Sequence, residues 1–189
     1  MWAQILPGLR IKIFMTILLG VAYPLLMTGI CQVFFPYRAN GSLVISGDKV
    51  IGSEILAQNF TKPQYFQPRP SAAGNDGFDP TASGGSNLGS TNQKLVDRIR
   101  AAAEKFRKEN PDYQGPIPAD LLTTSASGLD PHLSPDSAKA QAPRIAKARG
   151  MSLDQVNALI AQLTEGPDLG IIGEPRVNVL KLNLALDRR

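Results

Sequence analysis

The chain has 189 residues, a formal net charge of +4, one cysteine and one histidine. With Arg10 and Lys12 set aside, the remaining charge is only +2, which argues against nucleic acid or a strongly anionic ligand as a partner. The lone cysteine, Cys31, lies in an apolar run, so the rest of the chain has no disulfide and no thiolate metal site.

The first predicted element is a membrane helix. Ile13 to Tyr37 contains no charged residue. At about 1.5 Å per residue this run can cross a hydrocarbon core of about 30 Å. Its Ile, Leu, Val and Phe residues favour insertion by about 4–7 kcal/mol before the costs of Gln32 and Pro24. A cleaved signal does not fit. The run is too long and leaves through Val33-Phe34-Phe35-Pro36-Tyr37 without a small-residue cleavage pattern. Bulky Ile30 before Cys31 argues against a lipoprotein signal.

Arg10 and Lys12 precede the run and Arg38 alone closely follows it. This bias puts the N-terminus in the cytoplasm and the remainder outside. The expected organisation is a cytoplasmic segment at 1–12, a transmembrane helix at 13–37 and an α+β periplasmic domain at 38–189, in a bacterial inner membrane. Tyr37, Phe34 and Phe35 suit the outer interface, and Trp2 the inner one. Pro24 removes the bond to the Gly20 carbonyl and should bend the helix. Thr16 and Gly20 form a small-xxx-small pair that Thr28 and Gly29 continue, a surface on which a partner helix could dock.

Ser42–Ile45 and Val50–Ser53 flank Gly47-Asp48, a hairpin signal. Ile55-Leu56 either extends the second strand or starts a short helix. Residues 63–92 then read as a long segment without regular structure. Loops of that length are usually functional or disordered. Tyr65, Phe66 and Phe78 argue against disorder, because aromatic side chains can pin the loop to the domain or to a partner. Arg69 joins them as a candidate partner contact.

A helix begins after Ser90-Thr91-Asn92-Gln93, which offers capping oxygens. It carries Leu95, Val96, Ile99, Ala102, Ala103 and Phe106 at helical spacing. It should stop before Asn110-Pro111, and Arg98 to Lys108 supply its solvated face. Leu121-Leu122 is expected to be buried, with a loop over Thr123–Gly128. Ser134-Pro135 is an N-cap followed by proline at the first helical position. Pro143 is expected to divide this region into two short helices, at 135–140 and 143–149. Ser152-Leu153-Asp154-Gln155 is a capping box for a helix to about Leu163. Val177 to Leu186 alternates with a slip at Leu180-Lys181. That reads as a bulged strand joining the first hairpin in a small sheet covered by helices, with a helix as the alternative.

Candidates for chemistry are few. His132 could form a Ser/His/Asp arrangement with Ser125, Ser127 or Ser134, and Ser137 or Ser134 could pair with Lys139. Serines are abundant, and positions i and i+2 on a helix point apart. A membrane-tethered serine peptidase is therefore kept only as an alternative, beside a stand-alone binding module. Ser83, Gly84, Gly85, Ser86 and Asn87 could present backbone N–H groups to an anion or nucleotide ahead of a helix. They fit neither G-x-G-x-x-G nor the P-loop, and a loop shaped for close packing is the other reading. One histidine and scattered carboxylates make no metal first shell.

Several long motifs carry a resemblance over nearly the whole chain. They include Gly52-Ser53-Glu54, Gln64-Tyr65-Phe66, Arg69-Pro70-Ser71 and Ser83–Leu88. They continue with Pro118–Pro131, Gln141-Ala142-Pro143-Arg144-Ile145-Ala146 and Val177–Leu186. With the N-terminal anchor, this order resembles the KdpC family, the C subunits of the bacterial Kdp potassium-transporting P-type ATPase. The resemblance implies an accessory subunit without catalysis of its own. Its partners would be a P-type ATPase subunit, a channel-like potassium-translocating subunit, a very small single-helix subunit and membrane lipids. ATP and K+ would be handled by those partners, since the chain has neither a phosphorylatable P-type motif nor a potassium filter. The family is described as a catalytic chaperone that raises the pump subunit's affinity for ATP. The orientation read from the flanks opposes that role, because an outer domain meets no cytoplasmic ATP. It favours a domain resting over the entrance of the channel-like subunit.

Overall fold

The computed structural model describes residues 2–188, except that the side chains of Trp2 and Ala3 lie outside the described residues, and with them the interfacial placement expected for Trp2. The chain forms two compact units, Met1–Leu43 and Val44–Arg189.

The first unit is a long helix. Helix α1 (Trp2–Ile17) passes through one wide π-helical turn (Leu18–Ala22) into α2 (Tyr23–Phe34), and α3 (Pro36–Ala39) comes next. The apolar span covers Gln4–Phe34, 31 residues, so the helix begins well before the uncharged run and includes Arg10 and Lys12. Pro24 cannot donate a backbone hydrogen bond. The chain meets this one turn earlier, where the Tyr23 N–H reaches back to the Leu18 carbonyl in the wide spacing of the π turn. From Gln4 to Phe34 the side chains along this helix are exposed, apart from half-buried Cys31.

The second unit opens with a hairpin. Strands β1 (Leu43–Ser46) and β2 (Lys49–Ser53) form a separate two-stranded sheet, closed by Gly47 at φ 60°. That left-handed conformation suits glycine in a tight hairpin turn. At Ile55-Leu56 the chain neither extends the strand nor starts a helix but turns, with the Leu56 N–H on the Ser53 carbonyl at 3.4 Å. No helix or strand interrupts residues 63–92.

Helix α4 (Gln93–Glu109) starts at Asn92, whose side chain accepts from the Lys94 N–H, and stops at Asn110-Pro111 as expected. Only Phe106 of its apolar face is fully buried. A short 3-10 turn (Ala119–Leu121) and strand β3 (His132–Leu133) lead into α5 (Pro135–Arg149). The expected break at Pro143 does not occur, and α5 is one continuous helix. The carbonyl that loses its donor belongs to Lys139, on the exposed side, where water can satisfy it. Burial of Ala138, Ala140, Ala142, Ile145 and Ala146 around the proline holds the helix together.

Helix α6 (Leu153–Leu163) carries the expected capping box. Strands β4 (Thr164–Glu165) and β5 (Arg176–Asn178) come next, and α7 (Val179–Asp187) closes the chain. The bulged-strand reading of 177–186 is corrected: only the first residues are strand and the rest is helix. Asn178 caps α7 by accepting from the Lys181 N–H at 3.1 Å. Val179, Leu182, Asn183 and Leu186 then share the buried face at helical spacing. The sheet is also corrected. β5 lies between β3 and β4, antiparallel to both, and does not join the first hairpin. The core lies where α5, α6, α7 and β5 meet, around Leu133, Ile145, Val156, Ile160, Val177 and Leu182. The α+β class stands.

Candidate functional site

The long segment 63–92 is held by buried polar side chains from the helices beneath it. Asn183 of α7 accepts from the Phe66 N–H at 2.8 Å and donates to its carbonyl at 2.9 Å. Gln141 of α5 does the same for Gln67, at 2.9 and 3.1 Å. Each amide thus pairs with the segment's backbone as a neighbouring strand would. Arg144 donates to the carbonyls of Pro63 and Tyr65, to Asn110 Oδ1 and to Gln141 Oε1. Burial pushes its pKa down, with the charge of Glu109 acting the other way. The neutralising work at this site is done by carbonyl and amide oxygens rather than by a contacting carboxylate. Arg149 donates to the Gln64 carbonyl, pairs with Asp187 at 2.6 Å and lies 5.0 Å above the centre of the Tyr65 ring. The Tyr65 hydroxyl donates to Asp187.

Farther along, the segment meets the loop 123–131. Ser71 Oγ donates to the Gly128 carbonyl at 2.6 Å and accepts from the N–H groups of Ala73 and Phe78. The Gly84 N–H donates to the Ser127 carbonyl at 2.8 Å. Here the two loops stack backbone on backbone. A Cβ added to Gly85 would come within 2.9 Å of the Ala126 carbonyl oxygen, and one on Gly128, at φ 67°, within 2.6 Å of the Gly84 carbonyl oxygen. No side chain fits at either glycine without moving main chain.

Where the two loops converge, Arg69 Nη1 pairs with Asp130 Oδ2 at 3.2 Å, and Asp130 Oδ1 faces His132 Nδ1 at 3.3 Å while accepting from the His132 N–H at 3.0 Å. Burial acts to raise the Asp130 carboxyl. The hydrogen bonds from His132 and the charges of His132 and Arg69 outweigh it, and the group sits below the ordinary carboxylate value. Arg69 Nε is buried without a hydrogen-bond partner. The Arg69 side chain borders three neighbouring hollows. One is lined by the hydroxyls of Thr124, Ser125 and Ser127, one by Phe60 and Phe78, and one by Glu174 and Arg176. This Arg69–Asp130–His132 trio forms a polar, concave junction between the two loops.

The structure sorts the sequence candidates. Tyr65 and Phe78 are half-buried, Arg69 is at the loop junction, and Phe66 is wholly inside, packed in the core. Among Ser83, Gly84, Gly85, Ser86 and Asn87, the Gly84 N–H is committed to Ser127, Ser86 Oγ accepts from Thr124 at 3.4 Å, and Asn87 adopts φ 48°. The close-packing reading describes this loop. Thr16, Gly20, Pro24, Thr28 and Gly29 all lie on the exposed apolar helix. A Cβ on Gly20 would meet only Thr16 Cγ2 at 4.0 Å, and one on Gly29 nothing within 4 Å.

The serine arrangements do not assemble. His132 faces Asp130, Ser125 pairs with Ser127, and Ser134 with Ser137. Ser137 donates to Asp120, and Lys139 pairs with Asp136. Sequence reasoning missed Asn183, Gln141 and Arg144 as the clamps of the long segment. Asn183 could have been found from its place on the apolar face of a helical reading of 179–187.

The family described as "K+-transporting ATPase, c chain", KdpC, matches residues 5–188. Similar full-length proteins include the potassium-transporting ATPase KdpC subunits of Myxococcus xanthus and Polynucleobacter asymbioticus. The first is 54% identical over 190 residues, covering 100% of this chain and 90% of the relative. The second is 54% identical over 179 residues, covering 95% of each. The KdpC subunit of Caulobacter sp. is 55% identical over 175 residues, covering 92% of this chain and 88% of the relative.

Proposed function

This chain belongs to the KdpC family of K+-transporting ATPase c chains, and on that premise we propose that it is an accessory subunit of an ATP-driven potassium uptake complex, anchored by its N-terminal helix with the α+β domain on the outer side. The complex would comprise a P-type ATPase subunit, a channel-like potassium-translocating subunit and a small single-helix subunit. The domain would rest over the entrance of the channel-like subunit and stabilise the assembly. The observation that carries this reading is the pairing of a full-length family match with one membrane-length apolar helix, Gln4–Phe34. Arg10 and Lys12 near its start against Arg38 alone behind it support a cytoplasmic N-terminus. The small residues Thr16, Gly20, Thr28 and Gly29 and the π turn that precedes Pro24 suit a helix packed on a larger membrane protein.

The orientation is tested by placing a cysteine at exposed Asn75 in a Cys31→Ser background and adding a membrane-impermeant maleimide to intact cells. Labelling in intact cells is the expected result. Labelling only after lysis would reverse the topology and restore the ATP-handling alternative.

A further inference from the structure

Between Glu165 and Arg176, which face each other in the β4–β5 pair, the chain makes a ten-residue excursion, 166–175. Its tip is tightly built. Asp168 and Ile172 exchange backbone hydrogen bonds of 2.8 and 2.9 Å, and the Gly170 N–H donates to the Pro167 carbonyl at 3.0 Å. Arg176 ties the base to the tip through Glu165 at 3.4 Å and Asp168 at 3.3 Å.

This ordered tip displays its largest apolar side chains outward. Leu169 is 89% exposed, Ile171 85% and Ile172 58%. Leu169 also adopts φ 54°, the left-handed region that disfavours a side chain. A leucine held there gains little packing within this chain, so its strain is repaid only by something outside it. Such a knob of aliphatic side chains, flanked by polar ones, has the composition of a docking surface.

Charge selects the occupant. From 166 to 175 there is no Lys, Arg, Trp or Tyr; Asp168 is already paired with Arg176, so exposed Glu174 supplies the acidic charge beside the three apolar residues. A membrane-inserting tip carries basic and aromatic anchors, which are missing here. A second copy of this chain in a symmetric contact would bring Glu174 against its own counterpart. We infer that the 167–173 tip is a plug for an apolar socket on a protein partner. The socket would admit two or three aliphatic side chains and would carry Lys, Arg or backbone N–H groups facing Glu174. The inference rests on the assembly reading above and identifies that partner as a polytopic subunit of the complex.

The test uses the full chain in native membranes. A photo-crosslinking benzophenone residue at Ile171 should capture a polytopic membrane protein, while the same group at exposed Lys108 should not. Capture of lipid, of a second copy of this chain or of nothing would overturn the plug. In parallel, a Leu169→Gly/Ile171→Ser variant should retain about tenfold less partner during detergent purification (about 1.4 kcal/mol) with an unchanged melting temperature or a higher one. Undiminished retention would also overturn the plug. If the unaltered chain brings down no ATPase subunits at all, the assembly reading fails. If it does and the variant does so equally well, only the plug fails.

Discussion

The domain makes two excursions between its regular elements, and they use side chains in opposite ways. Residues 63–92 are rich in proline, glycine and serine, yet two buried amides and a buried guanidinium are devoted to them. Residues 166–175 instead hold Leu169 and Ile171 almost wholly in solvent, beyond any core. Polarity therefore does not sort inside from outside here. The first segment supplies backbone to be bound by the protein's own helices, and the second supplies apolar side chains that the protein's own core does not cover. A loop held by internal clamps is part of the fold. A loop that is rigid and apolar at its tip points to a partner beyond it.

The sharpest way to break the contrast is to remove a clamp. Arg144→Ala deletes donors to Pro63, Tyr65, Asn110 and Gln141 at once, and it leaves the Tyr65 carbonyl and Asn110 Oδ1 unsatisfied while Gln141 Oε1 keeps the Gln67 N–H. Each buried oxygen left unsatisfied costs about 1–3 kcal/mol, so the two together cost about 2–5 kcal/mol. Denaturant titration of the detergent-purified protein should show a loss of that size, and residues 63–67 should become accessible to protease. An equal loss without new proteolysis would mean that Phe66 packing and the Asn183 and Gln141 amides hold the segment without Arg144. No comparable effect is expected from any single substitution in the 166–175 tip.

How far this contrast could be read in the sequence depends on the distance over which each contact acts. Short-range signals were plain. Ser152 and Gln155 cap a helix across three residues, Ser134-Pro135 opens one, and Asn110-Pro111 ends one. The apolar run from Ile13 needed only its own length. Val177–Leu186 misled because Leu182, Leu184 and Leu186 alternate like a strand while Val179, Leu182, Asn183 and Leu186 also fit one helical face. The decisive Asn178 cap was hidden by its strand neighbours. Pro143 misled because the penalty for an interior proline is local, whereas the burial that overrides it comes from α6 and β5. The β3 strand has only two residues between Pro131 and Ser134, too few for periodicity to register. Arg69 and Asp130 lie 61 residues apart, and a lone sequence does not announce their pairing.

The junction of Arg69, Asp130 and His132 lies between the two extremes: charged like a surface, half-buried like a clamp. Asp130→Asn should cost about 1–2 kcal/mol, the range for a hydrogen-bonded charge that solvent still reaches. The sign with pH comes from its lowered pKa. The folded carboxyl titrates below its unfolded value of about 3.9, so its contribution is full above that value and is lost as pH falls through the folded one. Melting curves of the two proteins should thus differ at pH 7 and converge as pH falls below the unfolded value of about 3.9. A constant gap across that range would mean that the asparagine disturbs packing rather than charge.

The smallest effect is the most discriminating for the tip. Leu169 sits at φ 54° with 89% of its surface in solvent. Its side chain therefore contributes little burial in the isolated chain, while its Cβ crowds the backbone. Glycine adopts that conformation freely, and Leu169→Gly should raise stability by about 0.5–1 kcal/mol, offset in part by the greater freedom of glycine in the unfolded chain. A gain of any size sets this position apart from the 63–92 clamps, where every truncation should weaken the fold. A loss of about 1 kcal/mol or more would show that Leu169 packs on the domain after all. The tip would then be a second internal clamp and the contrast between the two excursions would collapse. A gain would leave a leucine kept at a cost to the free domain, as expected of a side chain whose stabilising contact is made on another protein.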